Sequence, residues 1–118
     1  MTKRRNAVVA VISAAVLALT GFVSVSSATA ATVQVGVILP DAASSARWET
    51  ADRKFLAAAF KAAKVTADIQ NANGDKAKFA TIADQMMAKG VKVLIMAGLD
   101  SPSTAAIQAK AKKAGIKT

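Results

Sequence analysis

Arg47 and Trp48 stand side by side in a polar stretch that follows a short apolar run, and Asp41 opens the same stretch six residues earlier. Asn71, Asn73 and Asp75 form a second polar cluster, and Asp100 lies in a third. These side chains suit a polyhydroxy compound. Carboxylate and amide oxygens accept from hydroxyls, a guanidinium donates in a fixed fork, and an aromatic face covers the C–H side of a ring. Each residue also has a plainer reading. Asp75 suits a helix N-cap, Asn71, Asn73 and Gly74 suit a turn, and Asp100 suits a loop or a cap. Trp48 can equally pack under its own helix against Phe55. Arg47 is harder to explain structurally, because a cation at a helix start gains nothing from the dipole there.

Other chemistries are excluded by composition. The 118 residues contain no Cys and no His, which removes thiolate nucleophiles, soft-metal sites, imidazole acid–base catalysis and disulfides. Neither a G-x-G-x-x-G nor a G-x-x-x-x-G-K-[ST] pattern follows the first apolar run, and Asp41 would repel a phosphate there. No pair of carboxylates at a defined spacing completes a catalytic set. The expectation is a binding protein rather than an enzyme, with no cofactor and no metal.

The elements that must position these residues follow from hydrophobic periodicity. Residues 1–30 carry the three parts of an export signal: Lys3, Arg4 and Arg5, then an apolar run over 7–23, then Ala28-Thr29-Ala30 as an A-x-A site. The run is short for a bilayer span, so a signal cleaved after Ala30 is expected, with export to the periplasm, cell envelope or extracellular space. Val33, Val35, Val37, Ile38 and Leu39 then form a β-branched run closed by Pro40, as in a strand covered on both faces. A helix is predicted over 46–64, with Phe55, Leu56, Ala59, Phe60 and Ala63 inward. A less apolar strand over 65–70 is expected nearer a sheet edge. Asp75 caps a helix over 76–89 with a stripe of Phe79, Ile82, Ala83, Met86 and Met87, and Gly90 stands at its C′ position. Residues 91–96 read as a third strand. Ser101 and Pro102 read as the cap and first residue of a third helix with Ile107, Ala111 and Ala114 inward. Gly115 ends it, and 116–118 resembles the opening of a fourth strand. The βαβαβα order has a repeat of about 30 residues, the size of a strand–helix unit. It predicts an α/β fold: a three-layer αβα arrangement around a parallel sheet with right-handed crossovers. The loops over 40–46, 71–75 and 97–101 then share the rim formed by the carboxyl ends of the strands, where open α/β sheets hold ligands.

Charge is strongly basic, with 16 Lys and Arg against 7 Asp and Glu. From Ala31 onward 13 cations face 7 acids, a net +6. The lysines are spread over successive elements without interleaved aromatics, so no nucleic-acid platform is expected and the charge reads as a solvated surface.

The motifs VGVILP at 35–40, ARWE at 46–49 and Asp52-Arg53 resemble the amino-terminal lobe of sugar-binding proteins of bacterial ABC importers, especially the xylose-binding branch. NANGD at 71–75, QMMAKGVKVL at 85–94, DSPS at 100–103 and AKAKKAGIK at 109–117 extend the likeness over the whole segment after the signal. The resemblance implies a periplasmic-binding-protein type I lobe over 31–118, in which Arg47 and Trp48 match sugar contacts and Asp41 and Asp100 match rim positions. It implies a pentose or hexose ligand, a membrane permease of the importer as partner, and a monomer. It also implies a hinge, a second lobe and an Asp-Arg contact pair beyond Thr118, so the chain is expected to be a lobe fragment. The alternative is a remnant of the effector domain of a sugar-responsive repressor, which shares the fold. That reading calls for a helix-turn-helix where the signal stands.

Overall fold

The computed structural model describes residues 32–118; the signal expected over 1–30 lies outside the described residues. Three strands, β1 (Val35–Leu39), β2 (Ala67–Asn71) and β3 (Val93–Met96), alternate with three α-helices: α1 (Arg53–Ala62), α2 (Lys76–Ala88) and α3 (Ser101–Lys113). A π-helical turn, Trp48–Asp52, runs directly into α1. The strands form a parallel sheet in the order β2-β1-β3. The predicted α/β alternation is therefore observed, with β1 central and the less apolar β2 at an edge. Lys117 makes a parallel bridge to Val93, where the opening of a fourth strand was expected.

The strand order steps one way from β1 to β2 and back past β1 to β3. Right-handed crossovers then place α1 on one face and α2 on the other, with α3 beside α2. Packing agrees with this. Gly36 and Ile38 face α2: a Cβ added at Gly36 would lie 2.6 Å from Met86 Sδ and 3.1 Å from Leu94 Cδ1. The missing side chain is what lets α2 approach the sheet. Ile38, Phe79, Ile82, Ala83, Met86, Val91, Leu94, Ile107 and Ala111 form one buried cluster on this side. Each large member contributes on the order of 1.5–3 kcal/mol by leaving water. Val37 and Leu39 are buried on the opposite side.

Helix ends follow local chemistry, with two corrections. The Asp75 carboxylate accepts from Lys78 N at 2.9 Å, and Gly90 takes φ +79°, so α2 begins and ends as its sequence predicts. The cap of α3 is Asp100 rather than Ser101: Asp100 is extended and its carboxylate accepts from Ser103 N at 2.8 Å, while Ser101 and Pro102 already lie in the first turn. The predicted inner face of α1 is also corrected. No residue of α1 is fully buried, and Phe55 is 67% exposed. Arg53 Nη1 donates to the Ile69 carbonyl at 2.6 Å, which sets the rotation of the helix. Leu56 and Phe60 follow Arg53 inward, at spacings of three and four residues, and Phe55 and Ala59 turn outward.

Because each helix runs opposite to its strand, the helix ends bearing Lys61, Lys112 and Lys113 lie at one edge of the sheet with the strand starts flanked by Lys92 and Lys117. Charges dispersed in the sequence are gathered in space there, and the helical ones complement their own C-termini.

Candidate ligand-binding rim

The carboxyl edge of the sheet collects the three polar loops. The connection after β1 leaves towards β2 and the connection after β3 leaves the other way, so the crevice between the loops after β1 and β3 is the topological switch point. Backbone hydrogen bonds tie the loops together. Ala72 N donates to Leu39 O and Gly74 N to Pro40 O, both at 2.9 Å, and Ala97 N donates to Ile38 O at 3.0 Å.

Asp41 closes its own turn. Its Oδ1 accepts from Ser44 N and from Ser44 Oγ, both at 2.7 Å. The Ser44 hydroxyl, followed by its amide, holds the Asp41 carboxyl below its ordinary range. The Oδ2 atom makes no described hydrogen bond and keeps its acceptor capacity.

Arg47 and Trp48 are brought together as a unit. The guanidinium carbon lies 4.8 Å from the centroid of the Trp48 ring, within cation–π range. Asp52 steadies it from the other side, accepting from Arg47 Nε at 2.8 Å and Nη2 at 3.3 Å. The Arg47 side chain is 62% exposed, so the ion pair adds little to stability and its consequence is geometric. Trp48 is half-buried. It does not form the core pair with Phe55 that the plainer sequence reading offered, because Phe55 faces solvent.

Behind this pair stands a denser cluster. Glu49 Oε2 accepts from Arg53 Nε at 2.6 Å, and Oε1 accepts from Arg53 Nη2 at 3.0 Å and from Asn71 Nδ2 at 2.6 Å. The Arg53 hydrogen bonds, then the one from Asn71, keep Glu49 ionised below its usual pH. Asn71 Oδ1 in turn accepts from Asn73 N at 2.7 Å. Asn71 is thus spent internally, as its turn-forming reading predicts, and Asp75 is spent as a cap.

Asp100 is the most strongly perturbed rim acid. Lys76 Nζ lies 2.6 Å from its Oδ2, and Ser103 donates its hydroxyl at 2.6 Å as well as its amide. The Lys76 ammonium first, then Ser103, pull its carboxyl far below the ordinary value. Asp100 therefore combines a cap with a link between the starts of α2 and α3. No described hydrogen bond or ion pair joins Asp41 or Asp100 to the Arg47–Trp48 pair.

Glu49, Asp52, Arg53 and Lys76 were given no individual role by sequence. Glu49 and Arg53 carry a readable signal, an acid four residues before a cation on one helical face. The Lys76–Asp100 pair carries none, since 24 positions separate its members.

Residues 35–118 match the family model described as the periplasmic binding protein domain, and the chain belongs to that family. Among solved structures, the chain is similar to a carbohydrate transporter solute binding protein from Chloroflexus aurantiacus in complex with D-glucose. The two share 32% identity with a TM-score of 0.64, over 71% of this chain and 24% of that one. It is also similar to an ABC transporter solute binding protein from Clostridium phytofermentans with bound beta-D-glucose, at 30% identity and TM-score 0.64, over 70% of this chain and 25% of that one. The chain thus spans about a quarter of the length of these relatives. No match is found among the curated proteins.

Proposed function

We propose that this chain supplies part of the amino-terminal lobe of an exported, non-enzymatic sugar-binding component of an ABC importer. In this reading residues 1–30 are the export signal, cleaved after Ala30, and 31–118 are the lobe. The ligand is a monosaccharide, a pentose such as xylose or a hexose such as glucose, and the complex is offered to a membrane permease. Arg47 and Trp48 meet the sugar, the guanidinium donating to hydroxyls and the indole covering a ring face. Asp41 and Asp100 accept from hydroxyls through the lone pairs their internal bonds leave free. The observation that carries the reading is the Arg47–Trp48 pair standing at the carboxyl edge of a parallel sheet. Transporter components as structural neighbours favour the importer over the repressor alternative.

Titration of the chain with D-xylose and D-glucose, followed by the emission of Trp48 and by calorimetry, tests this. A saturable response that R47A and W48A abolish is expected, with W48A read by heat alone. Absence of any response to a panel of pentoses and hexoses would overturn sugar binding by this chain.

A further inference from the structure

The Arg47–Trp48 pair sits at the start of a π-helical turn, and neither residue touches another strand or helix through a described side-chain hydrogen bond. What fastens the turn to the sheet lies one position further on. Glu49 reaches 22 residues along the chain to Asn71 at the end of β2, and its carboxylate also grips Arg53, whose other nitrogen holds the Ile69 carbonyl of the same strand. The Glu49 and Arg53 side chains are each only 35% exposed, so these charge-assisted bonds are less screened than the Arg47–Asp52 pair. A π turn adds one residue to each hydrogen-bonded ring and is held in structures by its surroundings rather than by intrinsic preference.

We propose that Glu49 is a positioning residue: by clamping Asn71 and Arg53 it fixes the π turn against β2 and so sets the placement of the Arg47–Trp48 platform at the rim. Glu49 does not meet the ligand in this scheme, because both its oxygens face the clamp. The link to ligand rests on the sugar-binding reading; the clamp itself does not.

Trp48 is the only tryptophan and the chain has no tyrosine, so its emission reports this one position in the full chain. E49A should shift Trp48 emission to the red and raise its quenching by acrylamide. N71A should act in the same direction to a smaller extent, since it leaves the Glu49–Arg53 bonds, and the double variant should add little to E49A, since both remove the Glu49–Asn71 bond. E49Q should return Trp48 close to the wild-type signal, because its amide oxygen still accepts from Asn71. D84A, which breaks the remote Lys110–Asp84 pair, should leave Trp48 unchanged. Circular dichroism monitors folding, and if E49A loses its folded signal N71A, which breaks the same bond from the β2 side, reads the link with E49Q as the control that keeps it. Unchanged Trp48 emission in both single variants, or additive changes in the double, would overturn the clamp. Glucose titration separates the two readings. A wild-type response to glucose that E49A leaves at the same half-saturation would also overturn the positioning role. No glucose response in wild type, with the fluorescence cycle intact, removes the sugar reading and leaves the clamp standing.

Discussion

The two faces of the sheet are held by different physics. On the α2–α3 side, Phe79, Ile38, Met86 and Leu94 are fully buried, and packing is close enough that Gly36 has no room for a side chain without displacing Met86. On the α1 side, among the described residues, only Val37 and Leu39 are fully buried, Phe55 and Ile95 are exposed at 67% and 42%, and the attachment runs through Arg53, Glu49 and Asn71. Stability is concentrated on the first face. The second face carries the turn that presents Arg47 and Trp48, and it is oriented by hydrogen bonds with defined directions.

That contrast breaks most visibly at Phe79. F79A should cost about 3–5 kcal/mol, the usual loss for an aromatic deleted from a closed core; a chemical denaturation midpoint near wild type would show that the α2 face is not the main source of stability. Acid should act next, because several carboxylates respond together. Asp41, Glu49, Asp68 and Asp100 are all held below their ordinary values. For Asp68 burial alone would raise the value, and the bonds from Lys89 and Gln70 outweigh it. A depressed native value means stability that is fully present above the unfolded value and lost as pH falls through the native one. Melting temperature should therefore hold between pH 6 and 8, where no His titrates, and decline below about pH 4. A decline already complete by pH 5 would contradict this. Smaller still, D75A should remove roughly 1 kcal/mol by uncapping α2. Smallest of all, F55A should stay within about 0.5 kcal/mol of wild type. An F55A loss approaching that of F79A would erase the contrast between the faces.

Much of this architecture is legible locally. Asp75 and Gly90 bracket α2, and the β-branched run ahead of Pro40 marks β1, because caps and alternation depend on residues a few positions apart. The π-helical turn at Trp48–Asp52 is not legible, since α and π spacing differ by one residue over a single turn. The inward face of α1 is not legible for a related reason. Phe55, Leu56, Ala59 and Phe60 form a broad apolar arc, and contacts distant in sequence, the Arg53–Ile69 hydrogen bond among them, decide which part of it faces the sheet. The cap of α3 was displaced by one residue because Asp100 and Ser101 are both competent, and backbone geometry chose the first. Among candidate site residues, type and resemblance single out Arg47 and Trp48, and their mutual stacking is visible only in three dimensions.

By itself the sequence determined the order of strands and helices, the helix stops at glycine, the absence of thiol and imidazole chemistry, and the family likeness. Each depends on composition or on short-range pattern. Tertiary structure alone decided that Lys76 reaches Asp100 and that Glu49 reaches Asn71. Those contacts join residues 22 or more positions apart, and it is the parallel sheet, turning every strand end the same way, that brings them within hydrogen-bonding distance.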